Sequence, residues 1–248
     1  MDGNLELFLL AASIFFFAAS VHGCIGFGFP MISTPLLALF TDVQTAILLT
    51  IIPNFLVNIV SIAGEGDFIG ALKRYWLFAL LVMLANGLGA VLLVIFNAEV
   101  FKLLLALAIF AYLLGDSIRL DLAWVRKFPR ASMVGFSTAA GLLGGLTNVM
   151  APVLIIYFLE LKRPKSDFIQ ASNLCFFLGK FSQLVVFTIA GKMTLTIAGG
   201  STLLLGAVGL ALFFGAKVKT KIDNQLYTRL LRILLVVLAV MLIAQVLL

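Results

Sequence analysis

The chain has 248 residues, of which 63% are hydrophobic and only 11% charged, and its mean hydropathy is +1.20. Soluble domains are about 45–50% apolar and about 25% charged, so no soluble fold of this length could bury so much apolar surface, and a bilayer must cover the rest. The net charge of +6 fits basic loops beside a membrane better than a nucleic-acid footprint, and the two cysteines, Cys24 and Cys175, lie in apolar segments and form no disulfide framework.

In chain order, apolar runs occupy 5–28, 30–40, 44–63, 76–96, 99–115, 131–146, 148–159, 167–190, 195–214 and 227–248. The flank Met1-Asp2-Gly3-Asn4-Leu5-Glu6 is acidic where a signal peptide needs Lys or Arg, so the first run is expected to be mature structure. Most runs match the roughly 20 residues that cross a bilayer as a helix. Runs 30–40 and 148–159 reach only about half way at 1.5 Å per residue. Each of the two follows a glycine-rich break, Gly23-Cys24-Ile25-Gly26-Phe27-Gly28-Phe29-Pro30 and Gly141-Leu142-Leu143-Gly144-Gly145-Leu146-Thr147-Asn148.

The breaks read as one element used twice, with Gly23, Gly26 and Pro35 answering to Gly141, Gly144 and Pro152. Pro53-Asn54 within the following helix matches Ser172-Asn173, and Gly66-Asp67-Phe68 matches Gly191-Lys192-Met193. The reading predicts an all-α polytopic membrane protein of two inverted repeats, each a broken-helix hairpin followed by three transmembrane helices. Residues 1–116 form the first repeat, 117–130 a cytoplasmic connecting loop and 131–248 the second repeat. The basic residues Lys73, Arg74, Arg119, Arg126, Lys127, Arg130, Lys162, Arg163, Lys165, Lys217, Lys219 and Lys221, with Arg229 and Arg232, fall on one side if each hairpin returns to its own face. That side is then cytoplasmic and both termini lie opposite.

Short segments broken by glycine at matching places in two inverted halves point to a secondary transporter. A helix end inside the bilayer survives only where it lines a cavity or binds something, and its free N–H groups and positive dipole favour an anion. Met31-Ile32-Ser33-Thr34-Pro35 and Asn148-Val149-Met150-Ala151-Pro152 are expected to begin the short helices. There Ser33, Thr34, Thr147 and Asn148 would cap them or donate to a ligand, with Gly26, Gly28, Gly144 and Gly145 shaping the site.

Lys180 lies mid-helix, too deep to snorkel, with no acidic residue at comparable depth, so a bound anion is the natural counter-charge. Asn54 and Asn173, and more weakly Asn58 and Gln183, either donate to that anion or hold helices together; Asn86 reads as packing. His22, the only histidine, is either a proton relay or a hydrogen-bonded structural residue, and Phe27 and Phe29 are candidate gates. With one histidine, no paired intramembrane carboxylates and no Cys/His cluster, neither an enzyme, a metal site nor a cofactor is expected.

Over essentially its whole length the chain resembles the TauE/SafE sulfite exporter family, also called the toluene sulfonate uptake permease family. The residues carrying the resemblance are the Gly23–Pro35 and Gly141–Pro152 breaks, Gly66-Asp67, Asn86-Gly87-Leu88-Gly89-Ala90 and Tyr227-Thr228-Arg229-Leu230-Leu231-Arg232. The resemblance implies about eight spans in a prokaryotic inner membrane. It also implies transport of sulfite, sulfoacetate or other sulfonates. Sulfate or carboxylates, or an anion channel, are the alternatives. The sequence leaves the oligomeric state, direction of transport and coupling ion open.

Overall fold

A computed structural model of the chain describes residues 2–96, 98–115, 122–218 and 224–247, and among them every regular element is a helix. In order these are α1 (Asp2–Ile25), α2 (Phe29–Ala38), α3 (Val43–Gly64), α4 (Phe68–Ile95), α5 (Ala98–Gly115) and α6 (Ala123–Lys127). They continue with α7 (Pro129–Thr147), α8 (Ala151–Glu160), α9 (Lys165–Ile189), α10 (Leu195–Leu203), α11 (Leu205–Val218) and α12 (Asn224–Leu247). Segments Glu6–Ile25, Val43–Gly64, Phe68–Ile95, Lys165–Ile189 and Leu195–Lys217 are each long and apolar enough to cross a membrane. Their outward surfaces carry side chains such as Leu84, Leu88, Ile95, Phe181 and Ile189, as lipid-facing helices require. The chain is an all-α polytopic membrane protein.

The apolar runs mark the helices closely, with one shift. Run 76–96 was expected to open a helix, yet α4 starts at Phe68 and carries Lys73 and Arg74 in its first turns. Hydropathy stops at the charges, but the backbone does not. Asp67, left-handed at φ 38°, accepts from the Gly70 N–H at 3.1 Å and caps the helix where it emerges from the apolar region. Asp42 does the same for α3, accepting from Thr45 N–H at 2.9 Å. Gly66 and Gly191 take φ of 76° and 68° just beyond α3 and α9, where a left-handed turn favours glycine.

Packing partners exchange between the halves. α1 lies on α11 as α7 lies on α4; α2 touches α12 as α8 touches α5; α3 packs on α9, and α5 on α12. The α1–α11 and α4–α7 crossings are made possible by glycine. A Cβ on Gly23 would lie 2.7 Å from the Leu212 carbonyl oxygen, and one on Gly89 would lie 2.7 Å from that of Leu142.

The two breaks occupy a different register from the one expected. Gly26 (φ 87°) and Asn148 (φ 64°) are the left-handed residues that end α1 and α7, and Pro30 and Pro152 stand in the first turns of α2 and α8. In this register Gly23 answers to Gly145, not Gly141, while Pro35 answers to Tyr157. Glycine-to-glycine matching fails because asparagine also tolerates a left-handed backbone, so one half uses Gly26 where the other uses Asn148.

At one end of the molecule Arg74 pairs with Asp167 at 3.1 Å, Arg163 reaches the same carboxylate at 4.0 Å, and Arg126 binds Glu160 at 3.0 Å. These pairs gather the starts of α4 and α9, the end of α8 and α6, which leads directly into α7, at one basic face. The α7–α8 pair is therefore a hairpin that returns to the side it came from. Arg119, Lys219 and Lys221 lie outside the described residues, as do residues 116–121 of the connecting segment and the side chain of Arg229.

Candidate functional site

Lys180 sits in the middle of α9 and is 2% exposed. Its ammonium donates to Asn148 Oδ1 and, at 2.6 Å, to Gln183 Oε1. Both acceptors are neutral amides, and no carboxylate pairs with it among the described residues. Asn148 is the left-handed residue at the tip of the α7–α8 hairpin, so its side chain leaves the helix end and points across the molecule. Its Nδ2 donates to Thr34 Oγ1 at 2.8 Å on α2 and to Thr50 Oγ1 at 2.9 Å on α3. A chain of contacts thus joins both broken hairpins to α3 and α9, with Thr34 and Thr50 fully buried.

A buried ammonium costs several kcal/mol in desolvation even after relaxation, and two amide oxygens offset only part of it. Lys has three donors, and the two bonds to Asn148 and Gln183 leave one. The Thr34 hydroxyl accepts from Asn148 and keeps its proton to give. These donors, beside the first turns of α2 and α8, suit an oxyanion.

The hydrogen bonds reassign several expected donors. Ser33 and Thr34 were expected at the start of α2, but the helix begins at Phe29-Pro30, placing both in its second turn. Ser33 Oγ donates to the Phe29 carbonyl at 2.7 Å and caps nothing. Thr147 and Asn148 belong to the end of α7, since Met150 is the N-cap residue of α8 and gives no side-chain bond. Thr147 Oγ1 donates to Leu143 O at 2.7 Å and accepts from Val149 N–H at 3.2 Å, bracing the break itself.

Asn173 is also not free to donate, and Asn54 has one of its two amide N–H groups engaged. Asn54 Nδ2 holds Thr50 O at 3.1 Å, and Asn173 Nδ2 holds Gly26 O and Ile169 O, both at 2.8 Å. Gly144 and Gly145 are packed rather than open to a cavity; a Cβ on Gly145 would meet Gly89 Cα at 2.8 Å, and one on Gly144 the Met150 side chain at 2.5 Å and the Asn86 amide at 2.8 Å. Gly26 and Gly28 supply left-handed backbone, φ 87° and 104°, with Ile169 against Gly26.

Asn86 is a packing residue, as expected. With its amide oriented to suit its neighbours, it donates to Gly179 O at 2.9 Å and accepts from Gly145 N–H at 3.0 Å, tying α4 to α9 and α7.

His22 is buried and bridges the first break. Its Nδ1 accepts the Phe29 N–H at 3.1 Å, which leaves the proton on Nε2, 2.7 Å from Ser61 Oγ. It therefore satisfies a free N–H at the start of α2, which is the structural role weighed for it. In the observed register His22 answers to Gly144 and Ser61 to Gln183, and Gln183 Nε2 donates to Gly144 O at 3.1 Å. One tie is thus made twice with different groups.

Phe29 is buried against Phe15, ring centroids 5.4 Å apart, in the core. Phe27 packs edge-on to Phe168 at 5.2 Å, and Phe168 to Phe158 at 6.1 Å, joining an aromatic layer of Tyr75, Phe78, Phe136 and Tyr157 beneath the basic face.

Thr50 is the site residue that sequence reasoning missed. Its signal was present: with Asn54 and Asn58 it forms an i, i+4, i+8 polar stripe on an apolar helix. The family model described as sulfite exporter TauE/SafE matches residues 11–242. No curated protein and no solved structure matches the chain.

Proposed function

Because the chain belongs to the sulfite exporter TauE/SafE family, a family of membrane transporters, we propose that it moves small sulfur-containing anions, sulfite or a sulfonate such as sulfoacetate, by alternating access. The observation carrying this is the Lys180 ammonium, buried between the two hairpin tips and held, among the described residues, by the amide oxygens of Asn148 and Gln183. An entering oxyanion supplies the missing counter-charge. It takes the third ammonium proton and the Thr34 hydroxyl, and the positive ends of α2 and α8 favour it further.

The anion is exchanged between sides as the hairpins shift. Toward the basic face, opening requires Phe27 to leave Phe168 and Arg74 and Arg163 to leave Asp167. Toward the other side, the matched crossing of α1 on α11 is the moving contact. The exchange of packing partners between halves supports this, since two copies of one unit in opposite orientation give two states of similar energy. We place the basic face in the cytoplasm and the protein in the cell inner membrane, from the bias of Lys and Arg.

Labelled-anion flux in proteoliposomes, comparing sulfite, sulfoacetate and acetate, tests the reading. Saturable flux with counterflow is expected for the sulfur anions, falling to background in Lys180→Ala while the protein stays monodisperse. Full flux in that variant would remove Lys180 from the site, and conductance without counterflow would make the protein a channel.

A further inference from the structure

From the level of Lys180 toward the basic end runs a second group of polar side chains that the anion site does not use. Asn54, Asn58 and Asn173 are fully buried and Ser172 is 1% exposed. Asn54 Oδ1, Asn173 Oδ1, Ser172 Oγ and both amide atoms of Asn58 have no hydrogen-bond partner among the described residues. An unpaired buried polar atom costs about 1–3 kcal/mol, so several together on two facing helices need a reason.

The sign of these groups is informative. The amide nitrogens of Asn54 and Asn173 are held by backbone carbonyls, Thr50 O in one case, Gly26 O and Ile169 O in the other. Turning either amide over would set its oxygen against those carbonyl oxygens, so the orientation is fixed and oxygen is what each presents. Oxygen repels an anion and attracts a cation. Asn58, one turn beyond Asn54 on the same face of α3, adds a third amide oxygen, and Ser172 adds a hydroxyl.

The two helices bring Asn58 close in depth to Ser172 and Asn173, with Asn54 one turn nearer Lys180. α3 and α9 run antiparallel, fixed by the Phe55–Phe177 ring contact at 5.2 Å and by the bond from Gln170 Nε2 to Gly66 O. That register sets Asn58 within about one helical turn of Asn173 in depth, and Asn54 at the level of Lys180. In the repeat register Asn58 is the counterpart of Lys180. One half places a fixed cation at this position, and the other places a neutral oxygen ligand.

We propose that Asn58, Ser172 and Asn173 form a binding site for a monovalent metal cation, sodium in the first instance, that travels with the anion, with Asn54 one turn away on its path toward Lys180. Oxygen-only donors suit a hard cation. No carboxylate is among them, so a divalent ion would lack the charge to repay its dehydration. Amide and hydroxyl oxygens take up no proton near neutrality, so this site does not serve proton coupling. Unwound carbonyls and small polar groups on broken helices are a setting in which transporters hold sodium. As a coupling ion the sodium rests on the transport reading above; as a bound ion it does not.

The test is equilibrium binding of radioactive sodium to the purified full chain, without any anion substrate. Saturable binding displaced by lithium and not by choline is expected. Asn58→Ala and Ser172→Ala should each weaken it about tenfold, the scale of losing one contact to a charged group. Asn58→Asp, which keeps the oxygen and adds charge, should tighten it, and Lys180→Ala should retain it. No saturable binding by monodisperse wild-type protein would overturn the proposal. So would binding that neither Asn58→Ala nor Ser172→Ala weakens and Asn58→Asp does not tighten. Sodium binding without anion flux would leave the cation site standing and sink the transport reading; anion flux without sodium binding would do the reverse.

Discussion

In Asn148→Asp a carboxylate would face the Lys180 ammonium where an amide oxygen now lies. The internal ion pair would take the place of the anion, and the bonds from Nδ2 to Thr34 and Thr50 would be lost. Anion flux should therefore fall at least about tenfold while the fold persists, as read by proteoliposome flux and gel filtration. A purely structural Asn148 would instead lose stability and keep its flux per folded molecule. The same distinction runs through the site: a side chain whose donors are already engaged by backbone, such as Ser33 or Thr147, shapes the break, whereas Lys180 and Thr34 keep a proton to give. His22 belongs with the first kind, since both ring nitrogens are engaged across the break.

Helix crossings decide which glycines are indispensable. Gly89 and Gly145 let α4 and α7 meet backbone to backbone, and Gly23 with Gly215 does so for α1 and α11. Gly89→Val or Gly23→Val should push the helices apart by the width of a side chain, and loss of monodisperse protein on gel filtration is the readout. Gly199 and Gly200 meet nothing within 4 Å in α10. Gly199→Ala and Gly200→Ala should raise the melting temperature instead, since alanine is favoured over glycine inside a helix by about 0.5–1 kcal/mol. The short helices obey the same logic. α2 and α8 each carry a proline in the first turn, which sets the start without a bond from the N-cap residue's own side chain.

Among the described residues the ion pairs and most of the Lys and Arg side chains gather at one end, and that asymmetry predicts the orientation. In a background lacking Cys24 and Cys175, single cysteines at the exposed positions Lys73, Lys162 and Lys217 should react with a membrane-impermeant reagent from the cytoplasmic side only. One at Lys192 should react only from the other side. Equal labelling of all four from one side would refute the inverted arrangement.

Composition alone placed the chain in a bilayer, because no soluble core could hold its apolar surface. The two short runs after glycine breaks located the hairpins, and the missing acidic neighbour singled out Lys180. Those features are local or additive along the chain, so hydropathy and spacing carry them. The tertiary structure decided what depends on which groups meet. It set the repeat register, where Asn148 stands for Gly26, because a left-handed backbone rather than a residue type recurs. It drew Thr50 into the site, because a helix face acquires meaning only from what packs on it. It also fixed which way the Asn54 and Asn173 oxygens face, since the direction of an amide is set by carbonyls more than a hundred residues away in one case and one turn away in the other.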